Sequence, residues 1–151
     1  MTKPQLNKKI LSILCSGRSM VLLGPSNSGK TWFIKKELMP FLKKQKIKIA
    51  YFDNPSHLSL IKIKNADFIV VDEVETMRDR TFLQKAYPDE KPYYSHEYII
   101  RVKKWFKNLE RIKKPSIFII TREKKDINNF KKKIKTLEWG IKNFALIEFK
   151  H

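Results

Sequence analysis

Cysteine is almost absent from this sequence: Cys15 is the single one among 151 residues. One thiol excludes a disulfide within the chain and any zinc site built from several cysteines. Long apolar runs are absent too, since none approaches the roughly 20 residues that cross a bilayer, and we predict no membrane-spanning helix. The apolar stretch 10–15 is short and leads directly into a loop motif, so no signal peptide is expected. A cytoplasmic protein is the simplest interpretation.

Acidic residues are scarce as well. The chain has 15 Asp and Glu against 33 Lys and Arg, which gives a net charge of +18. Such an excess favours polyanionic partners such as nucleic acid or an anionic membrane surface. The candidate contacts to nucleic-acid phosphates lie on two predicted helices and are Arg101, Lys103, Lys104, Lys107, Lys131, Lys132 and Lys133. The accompanying abundance of Ile, Asn and Phe leaves compositional bias open as another explanation of the charge.

Glycine is rare, with four residues, and two of them fall in one motif. Residues 24–31, GPSNSGKT, match the pattern G-x-x-x-x-G-K-[ST] in full. The apolar run Met20–Leu23 before it predicts a buried strand, and the residues after it are compatible with a helix. Gly24 lets the chain leave the strand sharply, and Gly29 lets the backbone approach a phosphate without a Cβ in the way. The motif therefore predicts a strand, a phosphate-binding loop and the start of a helix.

The loop supplies most of the predicted nucleotide-binding residues. Lys30 would reach the β- and γ-phosphates, and Thr31 would offer its hydroxyl to Mg²⁺. The residues expected to contact the nucleotide are Gly24, Pro25, Ser26, Asn27, Ser28, Gly29, Lys30, Thr31, Trp32 and Thr121.

Two carboxylates follow a second, mostly apolar run, residues 66–71. An apolar run bounded by charge predicts a buried parallel strand. Asp72 and Glu73 would then stand at the carboxyl end of that strand, where open α/β sheets bind ligands. We expect Asp72 to hold Mg²⁺ through a water, together with Thr31. Glu73 is expected to orient or deprotonate the attacking water.

A third apolar run, residues 116–120, ends in the polar pair Thr121 and Arg122. Both are expected at the same edge of the sheet as the phosphate loop. A hydroxyl and a guanidinium at that edge can sense or bind a γ-phosphate. Arg122 therefore joins Lys30 and Glu73 in the predicted catalytic set.

The remaining patterns alternate strands and helices. Helices are predicted over 4–15, from 31 to an end or kink at Pro40, over 74–86 and 96–112, and from an N-cap at Asp126 to Gly140. The other strands are predicted over 46–52 and 144–149, with a linker element over 56–64 and a loop over 87–94. Five strands alternating with helices predict an α/β fold with a mainly parallel sheet.

The three motifs GPSNSGKT, FIVVDE and SIFIITR together resemble those of P-loop NTPases. More narrowly, the chain resembles the additional-strand, catalytic-glutamate division, which includes AAA-like and STAND-type ATPases. Asp72-Glu73 matches the Walker B pattern of that division, and Thr121-Arg122 is similar to its sensor-1 position. The resemblance implies a three-layer sandwich with strand order 5-1-4-3-2, and ATP and Mg²⁺ as ligands. We expect one domain over 1–151, with an N-terminal helix in 1–17 and a core over 20–149. The chain departs from AAA-type proteins in one respect, because a helical lid normally follows their core and none is expected here.

The function implied by this resemblance is an ATPase that acts with nucleic acid or a protein partner. No arginine finger can be assigned, so hydrolysis is expected to be slow unless a partner or a second copy supplies one. One alternative is a small nucleoside or nucleotide kinase, since two motifs are similar to those of thymidine kinases, although one cysteine cannot build the zinc site usual there. Another is a basic nucleic-acid-binding adaptor that binds ATP without turnover.

Overall fold

Five strands form one parallel sheet in the part of the chain that the computed structural model describes, residues 2–74, 89, 96–133 and 144–149. The strands are β1 (Ser19–Gly24), β2 (Ile49–Phe52), β3 (Phe68–Val71), β4 (Ser116–Thr121) and β5 (Phe144–Glu148). Their spatial order is β2-β3-β4-β1-β5, and every neighbouring pair is parallel. Read from the other edge this is 5-1-4-3-2, so the order implied by the resemblance is confirmed.

The helices alternate with these strands. They are α1 (Lys3–Cys15), α2 (Lys30–Phe33), α3 (Met39–Lys44), α4 (Leu60–Lys64), α5 (His96–Ile112) and α6 (Lys124–Lys133). A π-helical turn, Ile34–Leu38, joins α2 to α3, and a 3₁₀ turn, Pro55–His57, follows β2.

Both faces of the sheet are covered. On β1 the side chains of Met20 and Leu22 pack in one apolar cluster with residues of α1 and of the α2–α3 helix. Val21 and Leu23 point to the other face and pack in a second cluster with residues of α6. All four side chains are fully buried. This burial on two faces explains why the strands read as continuous apolar runs, and the predicted three-layer sandwich is confirmed.

The parallel arrangement brings the carboxyl ends of the strands to one edge. Gly24 at the end of β1 lies opposite Thr121 at the end of β4. Val71 at the end of β3 lies opposite Phe52 at the end of β2. The segments that follow these strands therefore meet at the same edge of the sheet.

A capping box begins α1, one residue earlier than predicted. The Thr2 hydroxyl accepts a hydrogen bond from the Gln5 amide at 3.3 Å, and the Gln5 side chain accepts one from the Thr2 amide at 2.8 Å. The box satisfies two amides that would otherwise have no partner at the helix terminus.

Pro40 does not end the helix that follows the loop, contrary to one of the two predicted outcomes. The chain passes into a π-helical turn before the proline and continues helically to Lys44. Within this turn the Met39 amide bonds to the carbonyl of Ile34, five residues back. The wider turn relieves the clash between a proline ring and the preceding turn.

Other boundaries differ from the sequence expectations. Strand β2 begins at Ile49 rather than at residue 46, and α6 begins at Lys124, two residues before the predicted N-cap Asp126. The helix expected over 74–86 and the loop over 87–94 lie outside the described residues, apart from Val74 and Asp89. The predicted helix end at Gly140 lies outside them too.

Candidate nucleotide-binding site

The loop between β1 and α2 reverses the chain through two left-handed residues. Gly29 has φ 87° and Asn27 has φ 60°. Left-handed backbone costs an L-residue roughly 1–2 kcal/mol, a cost that glycine escapes and asparagine tolerates best. The Ser28 amide closes the turn on the Pro25 carbonyl at 3.3 Å. These local preferences give the motif the curved backbone that the sequence predicts.

Gly24 is required for a different reason. A Cβ built on Gly24 would lie 2.7 Å from the carbonyl oxygen of Phe149 and 3.1 Å from the Ser28 hydroxyl oxygen. Phe149 follows β5, and its amide bonds to the Leu23 carbonyl at 2.6 Å. The backbone after β5 is therefore in close contact with the first residue of the loop.

We expect Gly24→Ala to lower the free energy of unfolding by about 1–3 kcal/mol, because the added methyl overpacks a contact with backbone that cannot move aside. Urea unfolding followed by circular dichroism measures this. Gly17→Ala is a reference for backbone strain alone: a Cβ added there would meet nothing within 4 Å, so any loss of stability comes from its φ of +85°, a strain that Gly24 does not have. A Gly24→Ala protein as stable as the wild type would contradict a tight contact between β5 and the loop.

Lys30 turns its side chain back into the loop. Its side chain is buried, and Nζ donates to the carbonyl of Gly24 at 2.8 Å, the carbonyl of Pro25 at 2.7 Å and the hydroxyl of Ser28 at 3.3 Å. A buried ammonium is costly unless it is hydrogen-bonded. The loop thus holds a positive charge at its centre, beside the amides that precede α2.

Asp72 is held by donors from three parts of the chain. Its Oδ2 accepts hydrogen bonds from the Thr31 hydroxyl at 2.7 Å and the Tyr51 hydroxyl at 2.9 Å. Its Oδ1 accepts one from the Glu73 amide at 2.8 Å. The Asp72 residue as a whole is 8% exposed. The structure thus brings the predicted metal ligands Thr31 and Asp72 into direct contact.

Tyr51 was missed by sequence reasoning, which treated it as an ordinary strand residue. Burial, and then the neighbouring carboxylate of Asp72, raise the pKa of its phenol far above the usual range, so the hydroxyl stays protonated and donates. The Lys35 ammonium also lies over its ring, 4.8 Å from the ring centroid, in a cation–π contact. The signal that finds Tyr51 is its place beside the end of β3, which requires the strand order.

Glu73 adopts a strained backbone. Its φ is 52°, in the left-handed region that a glutamate rarely occupies. The side chain is exposed and lines the cleft beside Asp72. Strain of this kind costs of order 1–3 kcal/mol and tends to occur at functional sites.

A cleft of about 560 Å³ opens where these groups meet. Of the residues predicted to bind nucleotide or metal or to act in catalysis, those lining it are Ser26, Asn27, Ser28, Gly29, Lys30, Thr31, Trp32, Asp72, Glu73 and Thr121. Lys35, Tyr51 and Asp53 also line it, and sequence reasoning assigned them no role. Asp53 pairs with His57 at 2.5 Å, and this hydrogen bond lowers the pKa of the aspartate. The cleft walls are therefore mostly polar and carry both signs of charge.

Arg122 does not join this cleft. Its side chain is 3% exposed, stacks on the Phe130 ring at 4.3 Å and donates to the Thr121 carbonyl at 2.9 Å. These contacts tie the end of β4 to α6. The structure brings Thr121 to the cleft but not the guanidinium that follows it, and the catalytic role expected of Arg122 stays a prediction.

The donor set suits a hard cation that is shared with phosphates. Thr31 and Asp72 offer oxygen atoms. The Thr31 hydroxyl donates its hydrogen bond to Asp72, which leaves the lone pairs of the hydroxyl oxygen as acceptors. Among the described residues no group of three or more His, Cys, Asp or Glu is placed to hold a metal. Mg²⁺ commonly takes one or two protein ligands and completes its shell with phosphates and water.

The basic residues predicted to contact nucleic acid are only partly described. Arg101, Lys104 and Lys107 are exposed on α5. Lys131 is half-buried and forms an ion pair with Glu148. The side chains of Lys103, Lys132 and Lys133 lie outside what the structure describes.

Comparison with known proteins gives a structural similarity alone. No family model and no curated protein matches the sequence. The structure is similar to that of the Aeropyrum pernix ORC2 protein, solved as ADPNP–ADP complexes, with a TM-score of 0.48 and 15% sequence identity. The match covers 97% of this chain and 47% of that one, so the chain spans about half the length of this neighbour. Within the described residues, no helix combines the length and apolarity that crossing a membrane requires.

Proposed function

We propose that the protein binds ATP with Mg²⁺ in this cleft and hydrolyses the bond between its β- and γ-phosphates, which yields ADP and inorganic phosphate. The observation that carries the proposal is that a buried ammonium and a hydroxyl–carboxylate pair lie close together at the carboxyl ends of the strands. The Lys30 ammonium stands inside the curved loop, and the Thr31 hydroxyl lies against the Asp72 carboxylate at 2.7 Å. A cation for phosphates next to oxygen ligands for a divalent metal is what a nucleoside triphosphate requires.

The proposed roles follow from the positions of the side chains. Lys30 and the loop amides would hold the β- and γ-phosphates, and the positive end of α2 would add to their attraction. Thr31 and Asp72 would hold Mg²⁺, which supplies charge neutralisation to the phosphate oxygens. Glu73 would orient a water for in-line attack and accept its proton. Thr121 would contact the γ-phosphate from the end of β4.

A second hollow, of about 860 Å³, lies on the other side of the loop and supports the proposal. Pro25 and residues 26–28 border it, and Ile127 and Phe149 contribute apolar surface. A nucleotide with its phosphates in the loop and its γ-phosphate near Glu73 extends its base to the opposite side. We propose that the base lies in this hollow.

The partner remains part of the proposal. The net charge of +18 and the exposed cations of α5 favour nucleic acid, which would bind through phosphate contacts and therefore weaken as salt rises. The alternative to nucleic acid is a protein partner or a second copy of the chain. Either of these would also supply the arginine finger that cannot be assigned within the chain.

The test is equilibrium binding of a fluorescent ATP analogue with and without Mg²⁺, followed by release of inorganic phosphate from ATP. Release is measured alone and with single-stranded or duplex DNA or RNA at two salt concentrations. We expect Mg²⁺-dependent binding and slow phosphate release that nucleic acid accelerates. Binding without release under every condition would favour the adaptor. Transfer of labelled phosphate to an added nucleoside, in place of release, would favour the kinase.

A further inference from the structure

Tyr51 lies beside the proposed catalytic cleft and touches its metal-binding carboxylate. Its hydroxyl donates to Asp72 Oδ2 at 2.9 Å, the same oxygen that the Thr31 hydroxyl reaches at 2.7 Å. The other oxygen of Asp72 is held by the Glu73 amide. Both oxygens of the carboxylate thus accept hydrogen bonds from the protein.

The position of the phenol is itself fixed by the sheet. Tyr51 pairs with Val70 in parallel register, and the Asp72 amide extends that ladder by bonding to the Phe52 carbonyl at 2.9 Å. The ring packs against the apolar cluster on one face of the sheet and faces the Lys35 ammonium. A tyrosine has two side-chain torsions, so little freedom is left once the ring is packed.

The hydroxyl of Tyr51, rather than its ring, is the group that contacts the Asp72 carboxylate. A packed aromatic at this place needs no hydroxyl, and a phenylalanine would fill the same volume. The hydroxyl instead acts, like that of Thr31, as a side-chain donor to Asp72. Groups that hydrogen-bond to a metal-binding carboxylate fix its orientation, and their removal typically costs about 10–100-fold in metal affinity.

We propose that Tyr51 is a positioning residue that holds the Asp72 carboxylate in the orientation needed for Mg²⁺ beside Thr31. The inference rests on the proposed function, because it concerns the metal of that same site. It predicts that loss of the hydroxyl alone raises the Mg²⁺ concentration that the protein requires, while the fold and the metal-free affinity for the nucleotide change far less.

The test is a Mg²⁺ titration of Tyr51→Phe at a fixed concentration of fluorescent ATP analogue, with a parallel titration in which phosphate release is measured. We expect the half-saturating Mg²⁺ concentration to rise about tenfold or more. Affinity for the analogue in EDTA should change by less than about threefold, since Tyr51 contacts Asp72 rather than the loop. Urea unfolding establishes that the variant is folded.

Ser19→Ala is the matched control. The Ser19 hydroxyl accepts a hydrogen bond from the Ser116 amide at 3.1 Å. Both residues lie at the amino ends of their strands, far from the cleft at the carboxyl ends. Ser19→Ala also deletes one hydroxyl and should leave the Mg²⁺ requirement unchanged. Tyr51→Gln, which keeps a donor but loses the ring, is a second variant in case Tyr51→Phe is unstable. It is expected to need more Mg²⁺ than the wild type, because its amide cannot take the same position.

The two ways of failing can be told apart. A wild-type protein that binds the analogue with no dependence on Mg²⁺ would overturn the proposed metal site and the role of Tyr51 with it. A wild type that depends on Mg²⁺, with a Tyr51→Phe curve superimposed on it, would overturn the positioning role alone. The phenol would then be a packed residue whose hydroxyl is merely satisfied by Asp72.

Discussion

Replacing Lys30 by methionine is expected to lower the affinity for MgATP at least about 100-fold, which corresponds to roughly 2.7 kcal/mol. The side chain is 5% exposed and its ammonium lies within the loop. A hydrogen bond to a charged group contributes about 1.5–3 kcal/mol, and the ammonium is placed to make such bonds to two phosphates. Methionine keeps the length and apolar stem of the side chain, so the loss reports the charge. Isothermal titration calorimetry with ATP and Mg²⁺ measures it.

Lys36→Met is the matched control for this substitution. Lys36 is exposed on the same stretch of helix and does not line the cleft. Its contribution is a screened surface charge, so its removal should change the affinity by less than about threefold. If Lys30→Met bound MgATP as tightly as Lys36→Met, the loop would not be the phosphate site.

Replacing Glu73 by glutamine is expected to reduce phosphate release at least about 100-fold while MgATP affinity stays within about threefold of the wild type. A positioned general base contributes roughly 10²–10⁴-fold to a rate, and an amide cannot accept the proton. Glutamine has the same shape, so the left-handed backbone at φ 52° is retained. The variant is expected to bind ATP and to leave it unhydrolysed. Single-turnover phosphate release measures the rate, and a binding titration on the same sample measures the affinity.

The control for Glu73→Gln is Glu97→Gln. Glu97 is exposed in the first turn of α5, and the same change of one carboxylate to an amide there should not alter the rate. Equal rates for Glu73→Gln and wild type would mean that another group activates the water. Loss of binding in Glu73→Gln would instead assign the carboxylate to ligand or metal binding.

Local signals were sufficient to predict the loop and the two strands that flank the cleft. Gly24, Gly29, Lys30 and Thr31 lie within eight residues, so their geometry depends mainly on nearby backbone. The buried strands were readable because both of their faces are apolar, which gives continuous runs. The strand order came from a family resemblance and could not be obtained from spacing, since a sheet permits several orders with the same alternation of elements.

The residues that sequence reasoning missed or misplaced depend on long-range packing. Tyr51 meets Asp72 across 21 positions of sequence, and only the pairing of β2 with β3 makes them neighbours. Arg122 directly follows Thr121, yet its guanidinium stacks on the ring of Phe130 in α6. Side chains alternate between the two faces of a strand, so Thr121 and Arg122 are expected to point apart. Both faces of this strand are apolar, so the sequence does not show which face borders the cleft.

The hydrogen bonds that Lys30 makes to its own loop bear on the entropy of ligand binding. Its Nζ lies on the carbonyls of Gly24 and Pro25, so a cation of the same chain holds the loop in its curved shape. In the proposed nucleotide complex, phosphate oxygens would compete with these carbonyls for the ammonium. A loop held in a curved shape would lower the entropic cost of association, and affinity would then depend on how much better phosphate oxygens satisfy the ammonium than peptide oxygens do.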